Sequence, residues 1–118
     1  PGKIITVFGC GGDRDRGKRP KMARVASLYS DVTIATSDNP RTEDPEKIIN
    51  EIEVGIAKEK TQYFREVNRR EAIYLALKKA RPEDIVLIAG KGHENYQVIG
   101  THKHDFDDKL VVRDYYSS

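Results

Sequence analysis

The chain has 118 residues, a length typical of one domain around a single hydrophobic core. Charged residues make up 34% of it and the formal net charge is +2, so no overall field favours nucleic acid as a partner. No apolar run is long enough to span a membrane, and the single cysteine, Cys10, excludes an internal disulfide and is typical of the cytoplasm. Cys10 itself is predicted to be a small buried hydrophobic residue.

Strand-like and helix-like segments alternate in the first half of the chain. Residues 3–8 form a β-branched apolar run that predicts a buried strand. Pro20 is typical of a first helical turn, and the helix that follows is expected to bury an apolar face. That face consists of Met22, Val25, Ala26 and Tyr29. Residues 32–36 predict the second strand, and Asp44 and Pro45 predict the capped start of a second helix.

The second half continues the alternation. The second helix, residues 45–56, carries an isoleucine stripe made of Ile48, Ile49, Ile52 and Ile56. Residues 62–67 predict a short strand, and Asn68 is expected to cap a helix over residues 69–80. Residues 85–89 are the most hydrophobic run and predict the central strand, residues 96–100 an edge strand, and residues 107–115 a final helix. This order predicts an α/β fold: a doubly wound, mostly parallel Rossmann-like sheet with flanking helices.

The segment Asp38-Asn39-Pro40-Arg41 directly follows the second predicted strand. Ligands of open α/β sheets bind at this edge, beyond the carboxyl ends of the strands. A carboxylate, an amide and a guanidinium so close together can hold a zwitterion, whose carboxylate pairs with Arg41 and whose ammonium pairs with Asp38. The alternative is a solvated turn, because Asn-Pro and Asp are common turn residues.

Two further loops are predicted to reach the same edge. The Gly-rich loop after the first strand carries Arg14 in a local cluster of basic residues, which favours a small anion or else only a basic surface patch. It ends Gly-Lys-Arg where a phosphate-binding P-loop needs Ser or Thr. Glu94 follows the 85–89 strand within Gly90-Lys91-Gly92-His93-Glu94. Neither a nucleophile motif nor a complete metal-ligand set is present, so no catalytic or metal residue is predicted.

Three motifs together resemble the C-terminal domain of the Mur ligases. They are residues 7–20, residues 38–41 and residues 89–94, and weaker motifs fit at residues 69–73 and 106–108. The resemblance covers essentially the whole chain, in order and at fitting spacing. It implies part of an ATP-dependent amide ligase of peptidoglycan synthesis that adds meso-diaminopimelate to UDP-MurNAc-L-Ala-D-Glu through an acyl phosphate. The domain would bind the incoming amino acid and close over ATP.

The resemblance also implies a set of residues that bind diaminopimelate. They are Arg14, Asp38, Asn39, Arg41, Gly90 and Glu94. The two arginines would bind the distal carboxylate, the two acids the distal ammonium, the asparagine would orient the ligand, and the glycine would give a backbone contact. Family members that add L-lysine lack the arginine at the position of Arg41, so this residue indicates diaminopimelate. A bidentate arginine–carboxylate pair is lost when the ligand has no such carboxylate.

The chain is expected to be a piece of a longer protein. By the same resemblance it lacks the first strand and helix of its domain and the upstream ATPase and UDP-sugar domains. ATP and Mg²⁺ would then bind mainly outside the chain, at residues that the sequence does not identify, and the fragment alone would be inactive. The alternative is a stand-alone α/β module that binds a nucleotide or another anion through the basic Gly-rich loop.

Overall fold

The structure is a computed structural model that describes residues 2–10, 17–38, 42–89, 96–99, 102–105, 113 and 116–117. In these residues the chain forms β1 (Ile4–Phe8), α1 (Lys18–Leu28), β2 (Val32–Ala35), α2 (Pro45–Gly55), β3 (Gln62–Arg65), α3 (Arg69–Lys79), β4 (Ile85–Ala89), β5 (Tyr96–Ile99) and β6 (His102–Asp105). Predicted and observed elements agree from β1 to β5 to within a few residues at each boundary. The predicted final helix lies mostly outside the described residues, although Arg113, Tyr116 and Ser117 are helical.

Strands β1 to β4 form one parallel sheet in the order β3-β2-β1-β4. Helix α3 covers one face, where Ile73 and Ala76 pack against Ile5 and Ile34. Helices α1 and α2 cover the other face, in a second apolar cluster that includes Phe8. Helices on both faces of a parallel sheet define a doubly wound α/β fold, so the predicted fold class is confirmed.

Two helices begin where their capping residues predict. The Asp44 carboxylate accepts a hydrogen bond from the Glu46 amide at 2.9 Å at the start of α2. The Asn68 side chain accepts one from the Glu71 amide at 3.0 Å at the start of α3. Each cap satisfies an amide that has no partner within its helix. All four isoleucines of the predicted α2 stripe are buried, so the packed face of α2 was also predicted correctly.

Of the four residues predicted to form the buried face of α1, Ala26 packs against the core and the other three do not. Met22, Val25 and Tyr29 are 50%, 57% and 76% exposed. The buried face instead carries Arg19, Ala23 and Ser27, at a spacing of one helical turn. Ala23 and Ser27 are small enough for α1 to approach α2 closely, and Gly55 of α2 lies directly against the backbone of Pro20. The apolar periodicity of α1 therefore marks a second surface, which the described residues leave exposed.

The predicted position of β4 is also wrong within the described sheet. The structure places β4 at the edge, and β1 lies between β2 and β4. Val86 and Ile88 pack against the core on the α3 side, whereas Ile85 and Leu87 on the other face are 55% and 50% exposed. A strand that is hydrophobic on both faces thus has only one face covered here.

The second sheet is an antiparallel pair of β5 and β6. Its first strand was predicted, but β6 was not, because its sequence His102-Lys103-His104-Asp105 lacks the apolar residues that indicate a strand. Among the described residues, no helix has the length and apolar character needed to cross a membrane.

The contact of α1 with α2 at Gly55 generates a first prediction. A β-carbon at Gly55 would collide with the backbone carbonyl of Pro20, which cannot move without displacing α1. We expect Gly55→Ala to lower the free energy of unfolding by about 1–3 kcal/mol, as over-packing does, although alanine is the better helix former. Val54→Ala is the matched control, because Val54 is 80% exposed and should change stability by less than about 0.5 kcal/mol. Equal effects of both substitutions in urea unfolding would contradict the prediction.

Candidate functional site at the carboxyl edge of the sheet

The ends of three neighbouring strands are level. Phe8, the last residue of β1, pairs with Ala35 of β2 and with Ala89 of β4. After β1 the chain continues to β2 on one side of β1. After β3 it returns through α3 to β4 on the other side of β1. The strand order therefore reverses between β1 and β4, the position where open α/β sheets bind ligands. The segments after β1, β2 and β4 leave the sheet at this edge, and these segments carry all the predicted site residues.

Of the six predicted site residues, the structure describes Asp38. The others lie outside the described residues: Arg14, Asn39, Arg41, Gly90 and Glu94. Asp38 is 7% exposed, so it is not the solvated turn residue of the alternative interpretation. A buried carboxylate at a ligand-binding edge is suited to pairing with a cation such as an ammonium group.

Gly9 allows the chain around Asp38 to lie against the end of β1. A β-carbon at Gly9 would be 2.9 Å from the Thr36 carbonyl oxygen and 3.2 Å from Cβ of Asp38. The Thr36 amide continues the β1–β2 pairing by donating to the Phe8 carbonyl at 2.9 Å. Glycine is thus required here for close approach, and it links the position of Asp38 directly to the central strand.

Arg69, on the face of the sheet that α3 covers, contacts the segment that contains Ser37 and Asp38. This arginine begins α3, is 2% exposed, and donates a hydrogen bond to the carbonyl oxygen of Ser37 at 3.1 Å. The Ser37 hydroxyl in turn donates to the carbonyl oxygen of Asp38 at 3.0 Å. These contacts give the carbonyl oxygens of Ser37 and Asp38 a hydrogen-bond donor each.

Arg19 lies at the start of α1 and contacts the far end of the same loop. Its guanidinium donates to both carboxylate oxygens of Glu43, at 2.7 and 2.9 Å, and to Glu51 of α2 at 3.3 Å. Arg19 is 2% exposed, and the hydrogen bond that it donates to the Glu43 carboxylate raises the pKa of its guanidinium further. Arg19 follows the basic Gly-rich loop in sequence, but its charge is paired with two glutamates of the fold.

The roles of Gly9, Arg19 and Arg69 were not predicted from the sequence. One signal was present for Arg19: Ala23 and Ser27 follow it at intervals of one helical turn, a pattern of small residues that indicates close helix packing. The weak motif at residues 69–73 begins with Arg69, but nothing in the sequence indicates the partner of Arg69 or of Glu43, because each partner is distant along the chain.

Cys10 follows the end of β1 and is 8% exposed, as predicted for a small buried residue. Burial raises the pKa of its thiol to about 11, and the charge of Arg19 only partly opposes this rise. A thiol held in its neutral form is a poor nucleophile. Cys10 therefore belongs to the core beneath the site.

The match to a family model supports what the fold and the edge indicate. Residues 1–92 match the model described as "Mur ligase, glutamate ligase domain". The chain belongs to the Mur ligases. The sequence-based resemblance to the C-terminal domain of this family is confirmed.

Several similar proteins carry the same name. The chain is 57% identical to "UDP-N-acetylmuramoyl-L-alanyl-D-glutamate--2,6-diaminopimelate ligase" of Clostridioides difficile (strain 630), over 96% of this chain and 23% of that protein. It is 58% identical to the protein of the same name from Fusobacterium nucleatum, over 94% of this chain and 23% of the relative. A solved structure of a protein with that name superimposes with a TM-score of 0.94 at 49% identity, covering 99% of this chain and 24% of the other. The chain thus spans about a quarter of the relatives' length.

The environment of Cys10 generates a second prediction. Because the pKa of the folded thiol is about 11 rather than the ordinary 9.0, its thiolate fraction at pH 8 is lower by about a hundredfold. We expect native protein to react with a disulfide reagent at least about tenfold more slowly than protein in denaturant, because the greater nucleophilicity of a more basic thiolate offsets part of this loss. Equal rates would show that Cys10 is accessible and ionised.

The same shift predicts how stability depends on pH. Between pH 9 and 11 the thiol ionises in the unfolded chain before it ionises in the folded one, so the free energy of unfolding falls as the pH rises. Cys10→Ala removes this contribution and serves as the control. The slope of stability against pH in this window should be shallower for the variant.

Proposed function

We propose that the chain is the amino-acid-binding domain of an ATP-dependent ligase that adds meso-diaminopimelate to UDP-MurNAc-L-Ala-D-Glu in peptidoglycan synthesis. The observation that carries this proposal is identity above 50% with several ligases of that name over nearly the whole chain. The geometry supports it, because a buried acid lies where a doubly wound sheet binds its ligands. The stand-alone alternative is disfavoured by membership of a family whose proteins are about four times longer.

The proposed ligand contacts are those that the resemblance to the Mur ligases implies, and they agree with charge matching. Asp38 and Glu94 bind the distal ammonium of diaminopimelate, Arg14 and Arg41 its distal carboxylate. Asn39 orients the ligand and Gly90 gives a backbone contact. Ser37, next to Asp38, accepts a hydrogen bond from Arg69 of α3, and Asp38 itself lies close to Gly9 at the end of β1, which favours a preorganised site. A site built for a charged group excludes a ligand that lacks it, because the site's own charge would remain unpaired.

The chemistry of amide formation is proposed to lie mainly outside this chain. ATP would phosphorylate the carboxylate of the UDP-linked dipeptide, and a diaminopimelate amine would displace phosphate from the acyl carbon. ATP and Mg²⁺ are assigned to upstream parts of the longer protein, because the loop at residues 12–19 lacks the Ser or Thr of a P-loop. This chain would supply the amino acid in position, and a cytoplasmic location fits its free thiol.

We also propose that a strand and a helix encoded before Pro1 complete this domain. Strand β4 has a free edge in the described sheet, and Ile85 and Leu87 are exposed on the face that carries α1. A strand that pairs with β4 and returns to β1 by a right-handed crossover would place its helix on this face. The exposed side chains of Met22 and Val25 on α1 would then be covered.

The specificity proposal generates a third prediction. In the full-length protein, meso-diaminopimelate should raise the melting temperature and act as substrate far better than L-lysine, which lacks the second carboxylate. Arg41→Ala should lower the ratio of kcat/KM for diaminopimelate to kcat/KM for lysine by about tenfold to a hundredfold. This is the cost of losing a charged hydrogen-bonded pair. An unchanged ratio would remove Arg41 from the site. Equal protection by both amino acids would reject the assigned specificity.

The domain proposal generates a fourth prediction. Val25→Gln on α1 should cost about 1–3 kcal/mol of stability in a protein that contains the upstream segment, because a polar amide would be buried there. In the 118-residue chain the same substitution should be nearly neutral, since Val25 is 57% exposed. Val54→Gln on the exposed side of α2 is the matched control and should be neutral in both. A neutral Val25→Gln in the longer protein would contradict the proposal.

A further inference from the structure

The loop between β2 and α2 is anchored at both ends by buried arginines. At its start, Arg69 donates to the carbonyl oxygen of Ser37, the residue before Asp38. At its end, Arg19 holds Glu43, the residue before the α2 cap, through both carboxylate oxygens. The two arginines come from helices on opposite faces of the sheet, and each is 2% exposed. The proposed ligand residues Asn39 and Arg41 lie in sequence between these anchors.

The Arg19–Glu43 pair has the properties of a fixed contact. A guanidinium fork with two parallel bonds to one carboxylate has a defined orientation, unlike a single contact of a lysine. Glu51 of α2 adds a third hydrogen bond at 3.3 Å, which connects the pair to the helix that follows the loop. A buried charge that loses its partner is strongly unfavourable, so the pair persists wherever the domain is folded.

The pair also engages an acid that is close to Arg41 in sequence. Glu43 is two residues from Arg41 in sequence and is an acid that could compete with a ligand carboxylate. Both of its oxygens already accept hydrogen bonds from Arg19. The neighbouring acid, Asp44, caps α2 by accepting from the Glu46 amide. The two acids nearest to Arg41 on its C-terminal side are thus engaged within the fold.

We propose that Arg19 and Glu43 are positioning residues for the selection of the incoming amino acid. They hold the C-terminal end of the loop so that Arg41 pairs with the ligand carboxylate and not with Glu43. The inference rests on the proposed function, since it assigns the pair a role in diaminopimelate recognition. It names residues that do not themselves touch the ligand.

The test compares variants of the full-length ligase with meso-diaminopimelate and L-lysine as substrates. Arg19→Met removes the fork, Arg19→Lys keeps the charge without it, and Glu43→Gln keeps the shape of the acceptor without its charge. The matched control is Arg65→Met. Arg65 forms 2.8 Å ion pairs with Glu46 and Glu53 of α2, so its loss also breaks two ion pairs of that helix.

We expect Arg19→Met and Glu43→Gln to raise KM for diaminopimelate and to lower the preference over lysine by about tenfold or more, corresponding to about one lost hydrogen-bonded charge. KM for ATP and for the UDP-linked dipeptide should change little. Arg19→Lys should restore part of the folded stability but not the preference, because lysine cannot form the fork. Arg65→Met should lower the melting temperature and leave the preference unchanged.

The outcomes separate this inference from the proposed function. If the preference persists in Arg19→Met and Glu43→Gln while only the melting temperature falls, the positioning role is overturned and the function stands. Arg41→Ala in the same assay then still loses the preference. If the wild-type protein itself shows no preference for diaminopimelate, the proposed function and this inference both fail. If Arg19→Met does not fold, the preference for diaminopimelate measured with Glu43→Gln and Arg19→Lys decides whether the positioning role holds.

Discussion

The pairing of β1 with both of its neighbours is the constraint on which the rest of the structure depends. Its last residue, Phe8, is level with the last residues of β2 and β4. Parallel register of this kind leaves no freedom in where the next segments begin, since each must leave the sheet at the same edge. The strand order reverses beside β1, so that edge is also the ligand-binding position of the fold. The absence of a side chain at Gly9 then allows the segment after β2 to lie against β1, where it places Asp38.

Buried charge is the second organising feature. Arg19 and Arg69 are among the most buried side chains of the described core, although arginine is rarely buried without partners. Arg69 contacts the start of the loop between β2 and α2, and Arg19 contacts its end. The two arginines belong to helices on opposite faces of the sheet. A salt bridge buried in this way contributes little net stability, because desolvation offsets the attraction. Its effect is geometric, since few alternative arrangements of the loop can satisfy both guanidinium groups.

The exposed apolar residues of α1 and β4 are explained by the same topology. Val25 of α1 and Leu87 of β4 lie on the same side of the sheet, and both are half exposed. A right-handed crossover into β1 would bring a helix to this side. The periodicity that incorrectly predicted the buried face of α1 thus follows a real apolar surface.

The alternation of strands and helices, the caps Asp44 and Asn68 and the buried isoleucine stripe of α2 were all predictable from the sequence, because each depends on residues within a few positions of one another. So was the proximity of Asp38 to a ligand-binding edge, since residues after parallel strands meet there. Tertiary structure alone decided that β4 lies at the edge of the described sheet and that Arg19 pairs with Glu43. These features depend on which surfaces lie close together after folding, and the 24 residues from Arg19 to Glu43 carry no local signal of that contact. The sequence by itself therefore determined the elements and which residues follow the strands at this edge of the sheet, whereas the packing of distant segments decided the position of β4 and the pairing of Arg19 with Glu43.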